Sequence, residues 1–368
     1  MIGTRPEAIK LAPVAHALRA RGIEPRLLFT GQHPDLDPSD YGLGDFAAIH
    51  LHCAGETDPH VHVGTVSKAL LPVVIDSGCR LLIVQGDTSS ALGGALAGQM
   101  AGIPVAHVEA GLRSHDRRRP WPEEEFRVAI DAQAELLFAP TELSAANLRR
   151  EHVRGQVHVT GNTGIDSLLA LRHDQPCPTS AGPPCILVTC HRRENWGLGI
   201  AGMTAALRNI ASSGIARVEI LLHPNPALAR QVRDLLAGER HIDFRQPCSH
   251  PETVTAMLES DLVLSDSGGM QEEAAALGVP LLVLRDRTER PEAIACGNVE
   301  LVGTDRGRII EAVERQLSGP LERAATMPFG DGRAGERIAE VIEQWLAQRG
   351  AVGLSPISST FPRKVGNW

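Results

Sequence analysis

The feature that most constrains this chain is a rhythm. Apolar runs too short for helices alternate with longer stretches of helical period. The runs Arg26–Thr30, Leu81–Val84, Pro104–Val108 and Leu136–Ala139 read as buried parallel strands. Glu7–Arg21, Thr88–Ala101 and Glu124–Gln133 read as helices between them. Such alternation leads to a doubly wound α/β domain, because each crossover helix must cover a face of a parallel sheet. The rhythm breaks at 172–184, where RHDQPCPTSAGPP carries four prolines and reads as a linker. It resumes with strands at Cys185–Thr189, Val218–Leu222, Leu262–Ser265 and Pro280–Leu284. A length of 368 residues fits two domains of about 100–200 residues each.

The expected organisation follows. Residues 1–171 form a first Rossmann-like domain and 172–184 the linker. Residues 185–333 form a second such domain, 334–349 a final helix, and 350–368 a Ser-, Pro- and Gly-rich tail. One oddity sits at the start. Gly3-Thr4-Arg5-Pro6-Glu7 reads as a strand-to-helix turn, yet only Met1 and Ile2 precede it. A strand usually takes about 5–6 residues. Either the first strand is very short or part of it lies outside the sequence.

Composition narrows the function. Aromatic residues make up 3% of the chain, leaving few rings to stack on bases, and the net charge is −8. Both argue against a general nucleic-acid binder. A small anionic ligand remains compatible, since local fields can oppose net charge. Seven cysteines, without a C-x-x-C pair, argue against a disulfide framework and fit a reducing cytoplasm. There is no run of 18 apolar residues for a membrane span and no signal-peptide pattern.

Open α/β sheets bind ligands at the carboxyl ends of their strands. Those positions are loaded here. Arg5 and Lys10 follow the first strand and can reach a phosphate; solvated charge on an ordinary turn is the plainer reading. Asp87 follows Leu81–Val84, where it also reads as a helix cap. Glu109 follows the run Pro104–Val108, with Gly111 two residues on, which is harder to explain structurally. Glu123 opens a helix, where acids are at home. The set matters more than its members. Carboxylates from consecutive βα junctions converge on one rim, and close carboxylates raise each other's pKa, so that one stays protonated as an acid.

The second domain offers the opposite charge. His191, Arg192 and Arg193 follow Cys185–Thr189 and point to a phosphate partner. Ser267, Gly268 and Gly269 precede a helix, where backbone N–H groups can approach an anion. Glu273, early in that helix, suits a ribose, and Arg290 after the next strand supplies a further cation. His50, His52 and Cys53, with His60 and His62, have spacings that can bind a metal, but nothing fixes the pairs together. No metal is assigned.

Eight segments occur in a recognisable order: GTRPEAIK, QGDT, HVEAGLR, PWPEEEFR, TGNTGID, HRREN, SDSGGMQEEA and TERPE. From Gly3 to about Gly332 the chain resembles the non-hydrolysing UDP-N-acetylglucosamine 2-epimerases. The resemblance implies a glycosyltransferase-B-like fold, with the active site in the cleft between the domains and the final helix packed back on the first. It also implies a homodimer, a UDP-sugar substrate, and no required metal or nicotinamide. The implied reaction interconverts UDP-GlcNAc and UDP-ManNAc. UDP leaves by anti elimination, giving 2-acetamidoglucal, and returns with the opposite configuration at carbon 2. By matching motif, Asp87, Glu109 and Glu123 are the acid–base candidates. His191 is implied as a phosphate contact and an aid to the leaving group. Arg5 and Lys10 are placed near the pyrophosphate, Ser267, Gly268 and Gly269 on phosphate, and Glu273 on ribose.

Three features depart from the family pattern. Its PLSYPDF-like segment is here Pro247-Cys248-Ser249-His250-Pro251-Glu252-Thr253, with His250 and Thr253 at aromatic positions beside the uracil. Its REMLD-like helix is here Pro34-Asp35-Leu36-Asp37-Pro38, which reads as a loop and bears on an effector site. The third is the short first strand. Alternative readings are a 2-epimerase of a modified UDP-sugar such as a 2,3-diacetamido uronate, a glycosyltransferase, or a non-catalytic UDP-sugar binder. A transferase leaves the trio of carboxylates unexplained.

Overall fold

The computed structural model describes residues 1–171, 183–190, 198–223, 225–319 and 325–351. Most of the expected linker, the expected tail from 352, and His191 and Arg192 lie outside these residues.

In the first half, helix α1 (Arg5–Ala20) leads into β1 (Leu27–Phe29) and β2 (Ala48–His50). Next come α2 (Pro59–Asp76), β3 (Leu82–Gln85), α3 (Ser89–Ala101), β4 (Val105–Val108) and α4 (Glu123–Asp131). The half closes with β5 (Leu136–Ala139), α5 (Glu142–Arg150), β6 (Gln156–Val159) and α6 (Thr163–Leu171). Strands β3-β4-β5-β6 form one parallel sheet and β1-β2 a separate parallel pair. Ile2 bridges to Phe29, so the first strand is reduced to a single bridge.

The second half begins with β7 (Cys185–Thr189), α7 (Leu198–Ser212), β8 (Arg217–Leu221), α8 (Pro226–Leu235) and β9 (Ile242–Arg245). It continues with α9 (His250–Glu259), β10 (Leu262–Ser265), α10 (Gly268–Leu277), β11 (Leu281–Val283), α11 (Pro291–Ala295), β12 (Val299–Leu301) and α12 (Arg306–Ser318). Its sheet is continuous and parallel, in the order β12-β11-β10-β7-β8-β9. The order reverses between β7 and β10, which opens a crevice at their carboxyl ends. Aliphatic residues fill the core on both faces of this sheet, as expected of a parallel sheet covered by helices. The last helix, α13 (Ala334–Ala351), places Ile338, Ala339, Ile342 and Trp345 in one core with Leu11 and Leu18 of α1.

Local signals explain most boundaries, and some expectations need correction. Helix α1 starts at Arg5, two residues before the expected Glu7, because Thr4 caps it and Glu7 completes a reciprocal capping box. Asp87 is not the cap of α3. Thr88 is, its side chain accepting from the Ala91 N–H. Helix α4 includes Glu123 and ends at Asp131 rather than Gln133. The loop after His33 holds one 3-10 turn at Pro38–Tyr41, capped by Asp37.

Candidate active site

The carboxyl ends of the strands carry the charged side chains. After β4 the chain makes a strained turn: Glu109 sits at φ 69°, in the left-handed region that an L side chain rarely adopts. Several bonds fix it there. Ala110 N–H donates to the Phe138 carbonyl at 3.0 Å, and Gly111 N–H donates to Asp131 at 3.1 Å. Asn147 donates to the Gly111 carbonyl at 3.0 Å. His107 reaches Asp131 at 2.6 Å and the Gly86 carbonyl at 2.8 Å, which ties the turn to the one carrying Asp87. Gly111 is obligatory. Its φ is 85°, and a Cβ there would lie 2.3 Å from the Ser144 carbonyl oxygen.

The Glu109 carboxylate is aimed into the cleft and held from both sides. Lys10 of α1 donates to its two oxygens at 2.6 and 2.7 Å. Arg290, from the second domain, donates at 2.8 Å, and the Gln85 amide also donates. Arg290 reaches on to Glu272 and Glu289, and Glu289 also pairs with Arg285 at 2.9 Å. Asn162 joins Glu272 at 2.8 Å, again between domains. Three cations, Lys10, Arg285 and Arg290, thus balance three carboxylates, Glu109, Glu272 and Glu289. Balance is what makes buried charge tolerable, since an uncompensated ion out of water is costly.

This arrangement revises one expectation. The sequence suggests that neighbouring carboxylates raise one another's pKa. Burial does push Glu109 upward, but Lys10 and Arg290 outweigh it and leave this carboxyl below its ordinary range. Glu272, deeper and also facing the Glu109 charge, is held above that range, chiefly by burial.

The trio is linked through one arginine. Arg127 of α4 is ion-paired with Asp87, and its Nε donates to the Glu123 carbonyl at 3.3 Å. Its positive charge also acts on Glu109. A Cβ built on Gly86 would stand 3.9 Å from Glu109 Oε2, which places that carboxylate beside the Asp87 turn. Asp87 and Glu123 are partly open to solvent, whereas Glu109 is buried.

Across the cleft, Ser267 caps α10 and Gly268 and Gly269 form its first turn. A Cβ on Gly268 would meet Arg290 at 2.7 Å, so the arginine requires a glycine there. Gly269 has no neighbouring atom within 4 Å of that position. The start of a helix leaves backbone N–H groups without helical partners, and with open space beside Gly269 this one is a candidate for receiving an anion. Glu273 accepts from His250 at 2.8 Å. His250 therefore occupies the departed aromatic position and touches the ribose candidate itself. Arg5 is exposed, with its backbone N–H on His33 at 3.3 Å. His62 is not placed for a metal shared with His50: it lies on α2, bonded to Ser89 at 2.6 Å and the Cys53 carbonyl at 3.0 Å. His50 stacks on Phe29.

Several participants lie outside the candidate set read from the sequence: Gln85, Arg127, Asn162, Glu272 and Glu289. Arg127 carried the best signal, four residues after Glu123 on the same helix face.

Two Rossmann-like domains, with acids at the strand ends of one and a glycine-containing helix start at those of the other, define a glycosyltransferase-B-like enzyme fold suited to nucleotide sugars. Residues 16–343 match the sequence model of the UDP-N-acetylglucosamine 2-epimerases, and the chain belongs to that family. It is 38% identical to the UDP-N-acetylglucosamine 2-epimerase of Escherichia coli K12, over 93% of this chain and 97% of that protein. A UDP-GlcNAc 2-epimerase from Neisseria meningitidis, solved with UDP-GlcNAc bound, superposes with a TM-score of 0.85 at 34% identity, covering 93% of this chain and 98% of that one. The Methanocaldococcus jannaschii UDP-GlcNAc 2-epimerase, solved with UDP-GlcNAc and UDP, gives 0.84 at 33% identity, covering 93% and 98%. No helix among the described residues is long and apolar enough to cross a membrane.

Proposed function

We propose that this chain is a reversible UDP-N-acetylglucosamine 2-epimerase that works in the cleft between its domains. The first domain, through residue 171, supplies the acid–base groups. The second, 185–333, receives the UDP. The observation that carries the reading is the Glu109 carboxylate, strained at a strand end and held by Lys10 and Arg290 facing the Ser267–Gly269 turn.

The chemistry follows from this placement. Removing the weakly acidic proton at carbon 2 needs a positioned base, and returning it to the other face needs an acid. Asp87, Glu109 and Glu123 fill these roles between them, with the division left to experiment. As the carbon–oxygen bond to UDP breaks, charge grows on the pyrophosphate. Lys10, Arg5 and Arg290 and the N–H groups at Ser267–Gly269 stabilise it. His191 and Arg192 join this set on the strength of their motif. Glu273 accepts from the ribose hydroxyls. The glucal stays bound until UDP adds back. By the same family argument the working form is a homodimer in the cytoplasm and needs neither metal nor nicotinamide.

The test is incubation with UDP-GlcNAc in heavy water, followed by proton NMR at carbon 2. UDP-ManNAc carrying deuterium at carbon 2 is the expected product. Free UDP with free ManNAc would mean hydrolysis. Binding without exchange would end the proposal for this sugar and turn attention to a 2,3-diacetamido uronate.

A further inference from the structure

The buried charges of the cleft cancel. Lys10, Arg285 and Arg290 are matched one for one by Glu109, Glu272 and Glu289. A neutral cluster attracts a diphosphate only weakly until one carboxylate gives up its charge. The three acids differ in how firmly theirs is held. Glu289 meets two guanidinium groups, Arg285 at 2.9 and 3.3 Å and Arg290. Glu109 receives Lys10 on both oxygens and Arg290 at 2.8 Å. Glu272 has one close cation, the Arg290 Nε at 2.5 Å. Its other oxygen takes a neutral donor, the Asn162 amide at 2.8 Å, and Lys10 stands off at 3.9 Å. Glu272 is buried on α10. The charged groups that face it are Lys10 from α1, Arg290 from the cap of α11 and the Glu109 carboxylate from the turn after β4.

We propose, resting on the UDP assignment made above, that Glu272 takes a proton from solvent when the diphosphate binds, so that the cluster passes from neutral to singly positive. Of the three acids it loses least by doing so. Burial already lifts its pKa above the ordinary range, against the pull of Arg290 and Lys10, and the facing Glu109 charge adds to the lift. An anion beside Lys10 and Arg290 brings further negative charge into the same space and pushes the same way. The hydrogen bonds survive the change, because a neutral carboxyl keeps acceptor lone pairs for Arg290 and Asn162. Arg290 then has positive charge to offer the pyrophosphate while it still fixes Glu109. Glu109, held by two cations, keeps its own charge for acid–base work. Glu272 is in this sense a positioning residue, acting on the site through Arg290 and Lys10.

A group that takes up a proton together with the ligand makes affinity fall as pH rises. The test is calorimetric titration with UDP-GlcNAc between about pH 5.5 and pH 8, in buffers of different ionisation heat. The diphosphate of this ligand is esterified at both ends and carries no proton that titrates in that range. Epimerisation releases no net proton, so turnover does not enter the count. The native chain should take up as much as about one proton per site, and its affinity should fall by up to about 10-fold per pH unit. Glu272→Gln, fixed in the neutral form, should lack this uptake and bind with nearly constant affinity. Asn162→Ala loses a donor that favours the carboxylate, so its uptake should extend to higher pH. Equal proton uptake in the native chain and Glu272→Gln overturns the proposal and leaves the UDP assignment standing. Should the glutamine form not fold, an unchanged pH range in Asn162→Ala overturns it equally. A native chain that binds no UDP-GlcNAc at any pH overturns both.

Discussion

The turn after β4 and the turn after β10 each follow an inner strand of a parallel sheet, one in each domain. Each leaves a parallel strand at the crevice. Their physics is opposite. The β4 turn is strained and over-determined: Glu109 at φ 69°, Gly111 pressed on the Ser144 carbonyl, and a carboxylate clamped by Lys10 and Arg290. The β10 turn is relaxed. Ser267 caps a regular helix, and Gly269 faces open space. The protein satisfies the first turn internally, which is how strain persists in a fold. The second leaves the space beside Gly269 open. One turn holds a charge in place for chemistry, and the other leaves room for an anion.

The largest effect should come from removing that charge. Glu109→Gln keeps the shape but deletes the acid–base group, and turnover should fall about 10³-fold. It also leaves Lys10 and Arg290 with less opposing charge, so the thermal midpoint must be measured beside kcat. Asp87→Asn lies nearer solvent and serves as the companion variant, with a turnover loss of about 10²-fold or more; it deprives the buried Arg127 of its ion-pair partner, so its thermal midpoint is measured as well. Near-normal turnover in Glu109→Gln would remove this residue from the mechanism and break the contrast between the turns.

Two glycine substitutions sharpen the contrast further. Gly111→Ala places a Cβ on backbone at 2.3 Å and at φ 85°, so it should destabilise the protein by about 3 kcal/mol in urea unfolding. Gly269→Ala meets nothing in the fold. Its stability should stay within about 0.5 kcal/mol. Its affinity for UDP, by titration calorimetry, should fall about 10-fold, because the methyl intrudes where an anion would approach the helix N–H groups. If Gly269→Ala proves the less stable of the two, the β10 turn is a structural element and not a binding one.

Much of this was legible in the sequence, and the reasons differ by element. Leu136–Ala139, Cys185–Thr189 and Leu262–Ser265 were read to the residue because central parallel strands are short, unbroken apolar runs. Strands β2 and β6 were not read, since they are mostly exposed or half-buried and lack such a run. Helix α2 was obscured by its own composition, PHVHVGTVSKALLPVVID, with Pro72 inside and histidines near its start. The site residues were legible as strand-end chemistry. Their electrostatics were not. Arg290 is 181 positions from Glu109, and only the closed cleft reveals that it holds this carboxyl below its ordinary range. A pattern along the chain can show which groups are present, but not which charge across a cleft outweighs burial.

The smallest effect concerns His250, where the family pattern has an aromatic ring. Burial pushes its pKa down, but the Glu273 carboxylate outweighs this and leaves it above 6.5. A raised folded pKa means that the pair contributes stability in full below pH 6.5, and loses it as pH climbs through the higher folded value. The thermal midpoint of the native chain should therefore fall more between pH 6 and pH 8.5 than that of His250→Phe, by about 1–2 °C. Other titrating groups act on both proteins alike, so the difference isolates this pair. Parallel midpoints across that range would show that Glu273 does not depend on His250. The acceptor assigned to the ribose would then be held by the helix alone, and the β10 side of the cleft would carry no charge pairing of its own at that point.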